Sequence, residues 1–314
     1  MRKKHIGTWK RWMAFSLSVC LVSGLAGGGK IYADSVENQD GNYQPYISLG
    51  ADLKSSEKAT VLDLLGVTEA ELPEYKVVTV TNEDEHKYLD GYLDASVIGT
   101  RALSSVKVVK TEEGSGIGVE THNISYCTTG MYCNALITAG LEDADVVVAG
   151  PFNISGTAAL VGAMEAYANM TGQEISEESM DAATNELVLT GELADELGDS
   201  GKTEQLIAMV KQAMIENGLS SEKDIRNAIE EACDALDLQL GEEEVDKIVD
   251  LMNKINKLDI DPNALKEQAK DIYNSISDKL DSLDFDKDGL AQKVGDAISG
   301  FFSAIVDFFK GLFG

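Results

Sequence analysis

Apolar and polar positions alternate along this chain with two different textures. From Tyr43 to about Gly172, short runs rich in Val and Ile take turns with longer stretches of helical period. YKVVTV (75–80), SSVKVVK (104–110), GIGVETHNI (116–124) and DVVVAG (145–150) have the brevity and the β-branched content of strands. SEKATVLDLLG (56–66), EDEHKYLDGYL (83–93), GMYCNALITAG (130–140) and GTAALVGAMEAYANMTG (156–172) lie between or after them and predict helices. Alternating helix and strand predicts an α/β domain, with α+β as the alternative arrangement. SSVKVVKTEEGSGIGVE (104–120) reads as a hairpin, with EEGSG (112–116) as its turn.

Beyond Ile175 the pattern holds no convincing strand. The segments 175–198, 203–218, 220–240, 241–258 and 261–280 all repeat at 3.6 residues. Several begin with Ser, Asp or Gly followed by acids, and some close on Gly, as capped helices do. Pro262, after Asp261, fits a first-turn position. The expected organisation is therefore a segment 1–33, an α/β domain over 34–172, an acidic helical region over 173–289 and a final helix over 290–314.

The first 33 residues have their own character. They carry Arg2, Lys3, Lys4, Lys10, Arg11 and Lys30 and no acid, followed within them by the apolar run MAFSLSVCLVSGLA (13–26). That run is shorter than the ~20 residues that span a bilayer, and a basic head before it makes a secretory signal peptide. Ala33 offers the small residue that signal peptidase wants, so cleavage is expected after it, leaving a secreted or cell-envelope protein. A lipoprotein anchor would need Cys20, and Val19 before it argues against that reading.

Charge sharpens this picture. The chain has 314 residues, 26 Lys+Arg against 54 Asp+Glu, and a formal net charge of −28. Losing the first 33 residues removes six basic groups and no acid, which takes the net charge to −34. Such a surface repels phosphate backbones and excludes nucleic acid as a partner. Cys127, Cys133 and Cys233 remain after cleavage, an odd number. Buried free thiols are the expectation, and a Cys127–Cys133 bridge requires Cys127 to precede the helix.

Two blocks carry a resemblance: IGTRALSSVKV (98–108) and MYCNALITAGLEDADVVVAGPFNISGTAALVGAMEAYANMTG (131–172). Together with the acidic stretch VTNEDEHKYL (80–89), they resemble the YpuA-like family of exported Gram-positive bacterial proteins, built on a domain of unknown function. The resemblance is dense over 49–172 and looser through the helical half. It implies an exported, envelope-associated or secreted protein, and brings no catalytic residue or cofactor with it.

Candidate chemistry is sparse. His86 and His122 are the histidines left after cleavage, and neither stands at ligand spacing from another His or a Cys. No G-x-S-x-G elbow is present. The turn AGPFNISGT (149–157) is the best candidate pocket. Asn153, Ser155, Gly156 and Thr157 would sit where a parallel strand hands over to a helix, with backbone N–H groups offered to a small anion. The alternative makes Ser155 an N-cap and the small residues a means of close packing. A Walker lysine and a G-x-G-x-x-G are both absent, and GSGIG (114–118) belongs to the hairpin turn.

Asp284, Asp286 and Asp288 occupy the first, third and fifth places of a calcium loop, with Gly289 at the sixth. The closing Glu is replaced by Gly295, so the segment is either a weak calcium site or an acidic linker. No other cofactor is expected. At the C-terminus Phe301, Ile305 and Phe308 continue an apolar helical stripe that Phe302 and Phe309 widen. That stripe suits self-association, docking on the helical bundle, or a membrane surface. The expected function is a non-catalytic cell-envelope or extracellular binding protein, with a protein or cell-wall component as partner. The alternative is an acid-catalysed envelope hydrolase working near the Ala149 to Thr157 turn.

Overall fold

A computed structural model of the protein describes residues 43–258 and 260. The signal-like segment, the fifth helical segment, the calcium loop (Asp284, Asp286, Asp288) and the Phe-rich helix (Phe301, Phe302, Ile305, Phe308, Phe309) lie outside the described residues. In chain order the elements are β1 (Tyr46–Gly50), α1 (Ser55–Leu64), β2 (Lys76–Val80), α2 (Asn82–Leu89), α3 (Ala95–Ile98), β3 (Ser105–Lys110) and β4 (Ile117–Ile124). They continue with α4 (Thr129–Thr138), β5 (Ala144–Ile154), α5 (Thr157–Thr171), α6 (Glu177–Leu197), α7 (Ser200–Asn217), α8 (Glu222–Leu236) and α9 (Glu242–Ile255). The fold is α/β, and all four expected strands form. β1 is an addition: all five of its residues are buried, so YISLG shows no alternation to read.

The five strands make one mixed sheet in the order β2-β1-β3-β5-β4. β1 is parallel to β2 and antiparallel to β3; β5 is antiparallel to β3 and parallel to β4. The expected β3–β4 hairpin is therefore corrected, because β5 lies between the two strands. The loop joining them is bonded to the start of β5 instead. Thr111 N donates to Asp143 O at 2.9 Å, and Gly116 N to Asp143 Oδ1 at 2.9 Å. Ala144 N then donates to Gly116 O at 2.9 Å. The Val-rich β5, which has a buried position to offer on both faces, takes the interior place.

Side-chain alternation sends two apolar sets to opposite faces. Ile47 and Leu49 of β1 join Ala149 of β5 and Val61, Leu62 and Leu65 under α1. Tyr46, Val106, Val108, Val146 and Val148 face the other way, into the main core under α4 and α5. On that face α5 comes close to β1: a methyl at Gly162 would stand 2.5 Å from Ser48 Oγ.

α4 is buried from Met131 through Thr138, because it lies between β4 on one side and α6 and α7 on the other. The helical half does not stand apart from the sheet. One continuous core runs from Tyr46 to Ile260 across the change of texture near Gly172. The helix ends follow their sequence signals: Ser176, Asp199 and Ser221 cap α6, α7 and α8 by accepting from Ser179, Lys202 and Asp224 backbone N–H groups. Gly172, Gly198 and Gly218 close α5, α6 and α7 in the left-handed conformation. Lys254 of α9 donates to Tyr92 Oη at 2.8 Å and to Asp181 Oδ2 of α6 at 3.1 Å, tying the loop after α2 to the helical layer.

Candidate functional site

The site grows from an irregularity in β5. His122 pairs with Ala149, but the next paired positions are Ile124 and Ile154, so residues 150–153 stand opposite Asn123 alone. Such an excursion bends the strand and re-aims the residues after it. Asn123, at φ 57°, donates through Nδ2 to Gly150 O at 3.1 Å. Asn153 is exposed on the excursion, next to Phe152, which is 50% exposed. The chain then returns to β4 through Ser125 N to Ile154 O at 2.8 Å, and to the residues before α4 through Cys127 N to Ser155 O at 3.0 Å.

Gly156, not Ser155, is the N-cap of α5, which corrects the capping alternative. It sits at φ 99°, a left-handed conformation that a glycine adopts without strain. Its carbonyl accepts from Tyr132 Oη at 2.5 Å. Ser155 Oγ lies 3.3 Å from Thr157 Oγ1, and Thr157 is buried.

Thr157 Oγ1 donates at 2.7 Å to Glu85 Oε1. Glu85 projects from α2, whose start is held by a capping box between Thr81 and Asp84. It is 1% exposed, and its second oxygen accepts from Asn82 Nδ2 at 3.2 Å. Burial pushes its carboxyl above the usual range, against the opposing pull of the Thr157 and Asn82 hydrogen bonds.

These groups border a cleft of about 370 Å³. Its lining mixes the hydroxyls of Ser96, Thr100, Ser104, Ser125, Ser155 and Thr157 with apolar Val97, Ile98, Leu103 and Ile154, and adds Tyr126, Arg101 and the Glu85 carboxyl. Of the residues expected from sequence, Ser155 and Thr157 border it. Gly156 and Asn153 do not.

One N–H of the helix start is already engaged. Ala159 N, in the first turn of α5, donates to Ser104 Oγ at 2.9 Å, and a carboxyl stands at the same helix end. Arg101 is engaged as well. Its Nη2 donates at 2.7 Å to Glu57 Oε2 and at 2.7 Å to Asp52 O, and this contact holds the Glu57 carboxyl below its usual range. Glu85 has no such cation: among the described residues it makes no ion pair.

Sequence reasoning missed Glu85, Ser104, Arg101 and Tyr126. A signal for Glu85 exists: it precedes Leu89 by four residues, which places both on one helix face, and Leu89 is buried. The histidines pair locally, His86 Nδ1 with Asp90 at 2.5 Å and His122 Nε2 with Glu120 at 3.1 Å. Among the described residues no group of three or more His, Cys, Asp or Glu could hold a metal ion, and no helix is long and apolar enough to cross a membrane. Cys127 does precede α4, yet it forms no disulfide with Cys133, and Cys127, Cys133 and Cys233 are all buried.

Comparison with known proteins gives two findings. Residues 49–272 match the family described as "Protein of unknown function (DUF1002)". A Bacillus subtilis (strain 168) protein, "Uncharacterized protein YpuA", is 40% identical over 268 residues, which cover 84% of this chain and 89% of that protein. No solved structure matches.

Proposed function

This chain belongs to the DUF1002 family, and we propose that it is an exported, non-catalytic binding protein of the cell envelope or its surroundings that holds a polar ligand in the cleft over Glu85. One observation carries this reading. The cleft is open and lined by hydroxyl groups and apolar side chains around a single carboxyl, a mixed lining suited to recognition by hydrogen bonding and apolar contact. The basic head and apolar run of residues 1–33 support export, and the relative from Bacillus subtilis fits a Gram-positive source.

A hydrolase working by paired carboxylates needs a second acid at the site. Among the described residues that line the cleft, Glu85 is the one acid. Glu57 is bound to Arg101 and does not line it. Asp52, whose charge also reaches Glu85, accepts from Ala102 N and does not line the cleft, which supports the binding reading over a paired-carboxylate one.

Sedimentation with purified Gram-positive cell-wall sacculi tests the proposal. The wild-type chain is expected to pellet with the sacculi and to release no soluble fragments. Ser155→Trp, which fills the cleft, is expected to stay in the supernatant. Equal pelleting of both proteins would remove the cleft from the function, and release of soluble wall fragments would revive the hydrolase.

A further inference from the structure

Glu85 is held in a place that is hard to explain by stability alone. A buried carboxylate loses its hydration and normally recovers the loss from a cation or a full set of donors. Glu85 has two donors, Thr157 Oγ1 and Asn82 Nδ2. An ionised carboxylate offers about four lone-pair sites, so acceptor capacity is left over. The nearby guanidinium of Arg101 is neutralised by Glu57 and anchored to the Asp52 carbonyl. The cleft thus contains one acid without an ion-pair partner among the described residues, since His86, the cation whose charge reaches it, is paired with Asp90. This acid borders a space of mixed hydroxyl and apolar lining.

We infer that the ligand of this cleft carries a primary ammonium group, which Glu85 receives as its counter-ion while the surrounding Ser and Thr hydroxyls bond the polar groups beside it. This rests on the cleft being the ligand site. An ammonium presents three donors, and a buried carboxylate meets it with charge-assisted hydrogen bonds that a neutral hydroxyl cannot equal. The formal charge of −28 adds a field that gathers cations and excludes anions. A cleft of about 370 Å³ is at the small end of ligand pockets, and suits a compact amine more than an extended polymer. The ammonium could sit on an alkyl chain, as in a basic amino-acid side chain, or on an amino sugar.

Titration calorimetry of the full chain at about 0.15 M salt, where surface attraction is screened, separates these sources. The probes are 1,5-diaminopentane with its neutral counterpart 1,5-pentanediol, and glucosamine with its neutral counterpart glucose. At least one amine is expected to bind. Its neutral counterpart and the Glu85→Gln protein are each expected to weaken binding by about tenfold or more. Glutamine keeps the shape of the side chain and an acceptor for Thr157, so the comparison is between folded proteins.

Failure of both amines to bind, or equal binding of an amine by wild type and Glu85→Gln, overturns the ammonium assignment. If a neutral probe binds wild type and Glu85→Gln alike but is lost in Ser155→Trp, the cleft remains the ligand site and the assignment alone falls. Sacculus binding unaffected by Ser155→Trp overturns the site itself.

Discussion

Lys211 Nζ lies 2.8 Å from Glu186 Oε1, and neither side chain is exposed to solvent. The pair joins α7 to α6, and α4 completes it. Lys211 also donates to Asn134 O at 2.9 Å and to Thr138 Oγ1 at 3.0 Å, while the Thr138 hydroxyl donates to Glu186 Oε2. All three ammonium donors therefore have acceptors, and both carboxylate oxygens have donors. A buried ion pair is tolerable when it is satisfied in this way.

Removing one partner should expose the cost of burying the other. Lys211→Met leaves Glu186 buried without its counter-ion, so that it must either keep an uncompensated charge or take up a proton, and is expected to destabilise the protein by about 3–5 kcal/mol. Lys211→Met combined with Glu186→Leu should recover most of that loss. Urea denaturation of the three proteins measures both effects. A single variant as stable as wild type would contradict the arrangement.

Glu85 predicts the opposite sign for its own substitution. Burial raises its carboxyl above the ordinary value of 4.5, so the folded state holds this proton more tightly than the unfolded state does. Its stabilising contribution is present in full below the unfolded value and is lost as pH rises through the folded one. Glu85→Gln is therefore expected to gain about 1 kcal/mol near neutral pH. The advantage should shrink toward the ordinary carboxylate value. Melting temperatures of both proteins across that range check it, and a variant less stable than wild type at neutral pH would contradict it. A site that improves in stability when disarmed is one shaped for a ligand.

Gly156 is expected to resist even a methyl group. An alanine there would keep a φ of 99° and bring its Cβ to 2.5 Å from Tyr132 Oη and 2.7 Å from Ile124 Cγ2. Gly156→Ala should cost about 3 kcal/mol. Tyr132→Phe removes the hydroxyl that both meets that methyl and bonds the Gly156 carbonyl, so the double variant should lose less than the sum of the singles. Thermal unfolding followed by circular dichroism gives the three values.

The thiols should be silent in the folded protein. Burial pushes Cys127 up to about 12, from an ordinary 9.0. At neutral pH its thiolate is then about a thousandfold scarcer than that of an exposed thiol. Cys233 is pushed up to about 11, also by burial. Titration of the chain from residue 34 with a disulfide reagent is expected to show no fast thiol before unfolding. Cys127, Cys133 and Cys233 should all react once urea is added. A rapid reaction of the native protein would show the segment before α4 to be open.

How far the sequence could be read depends on how local each feature is. Ile225 and Ile229 of α8, and Ile248, Leu251, Met252 and Ile255 of α9, repeat at helical steps and are all buried, as periodicity alone predicts. Ser176, Asp199 and Ser221 cap their helices with their own side chains, so neighbours along the chain suffice to identify them. The candidate turn is half legible. Ser155 and Thr157 stand out because a strand-to-helix handover leaves a local mark, whereas Arg101, Ser104 and Glu85 reach the same cleft from elsewhere in the chain.

Sequence by itself therefore determined most helices and most strands, and the acidic character of the chain, because period, capping and charge are properties of nearby residues. The short α3 (Ala95–Ile98) and the end of α2 at Leu89 rather than Leu93 were not legible there. Tertiary structure alone decided that β5 enters between β3 and β4, since a two-residue period specifies which face is buried and not which strand is the neighbour. It also decided that Glu85 and Lys211, ordinary charges among many in the sequence, are withdrawn from water. Whether a charge is solvated depends on what packs over it, and those contacts come from helices and strands distant in the chain.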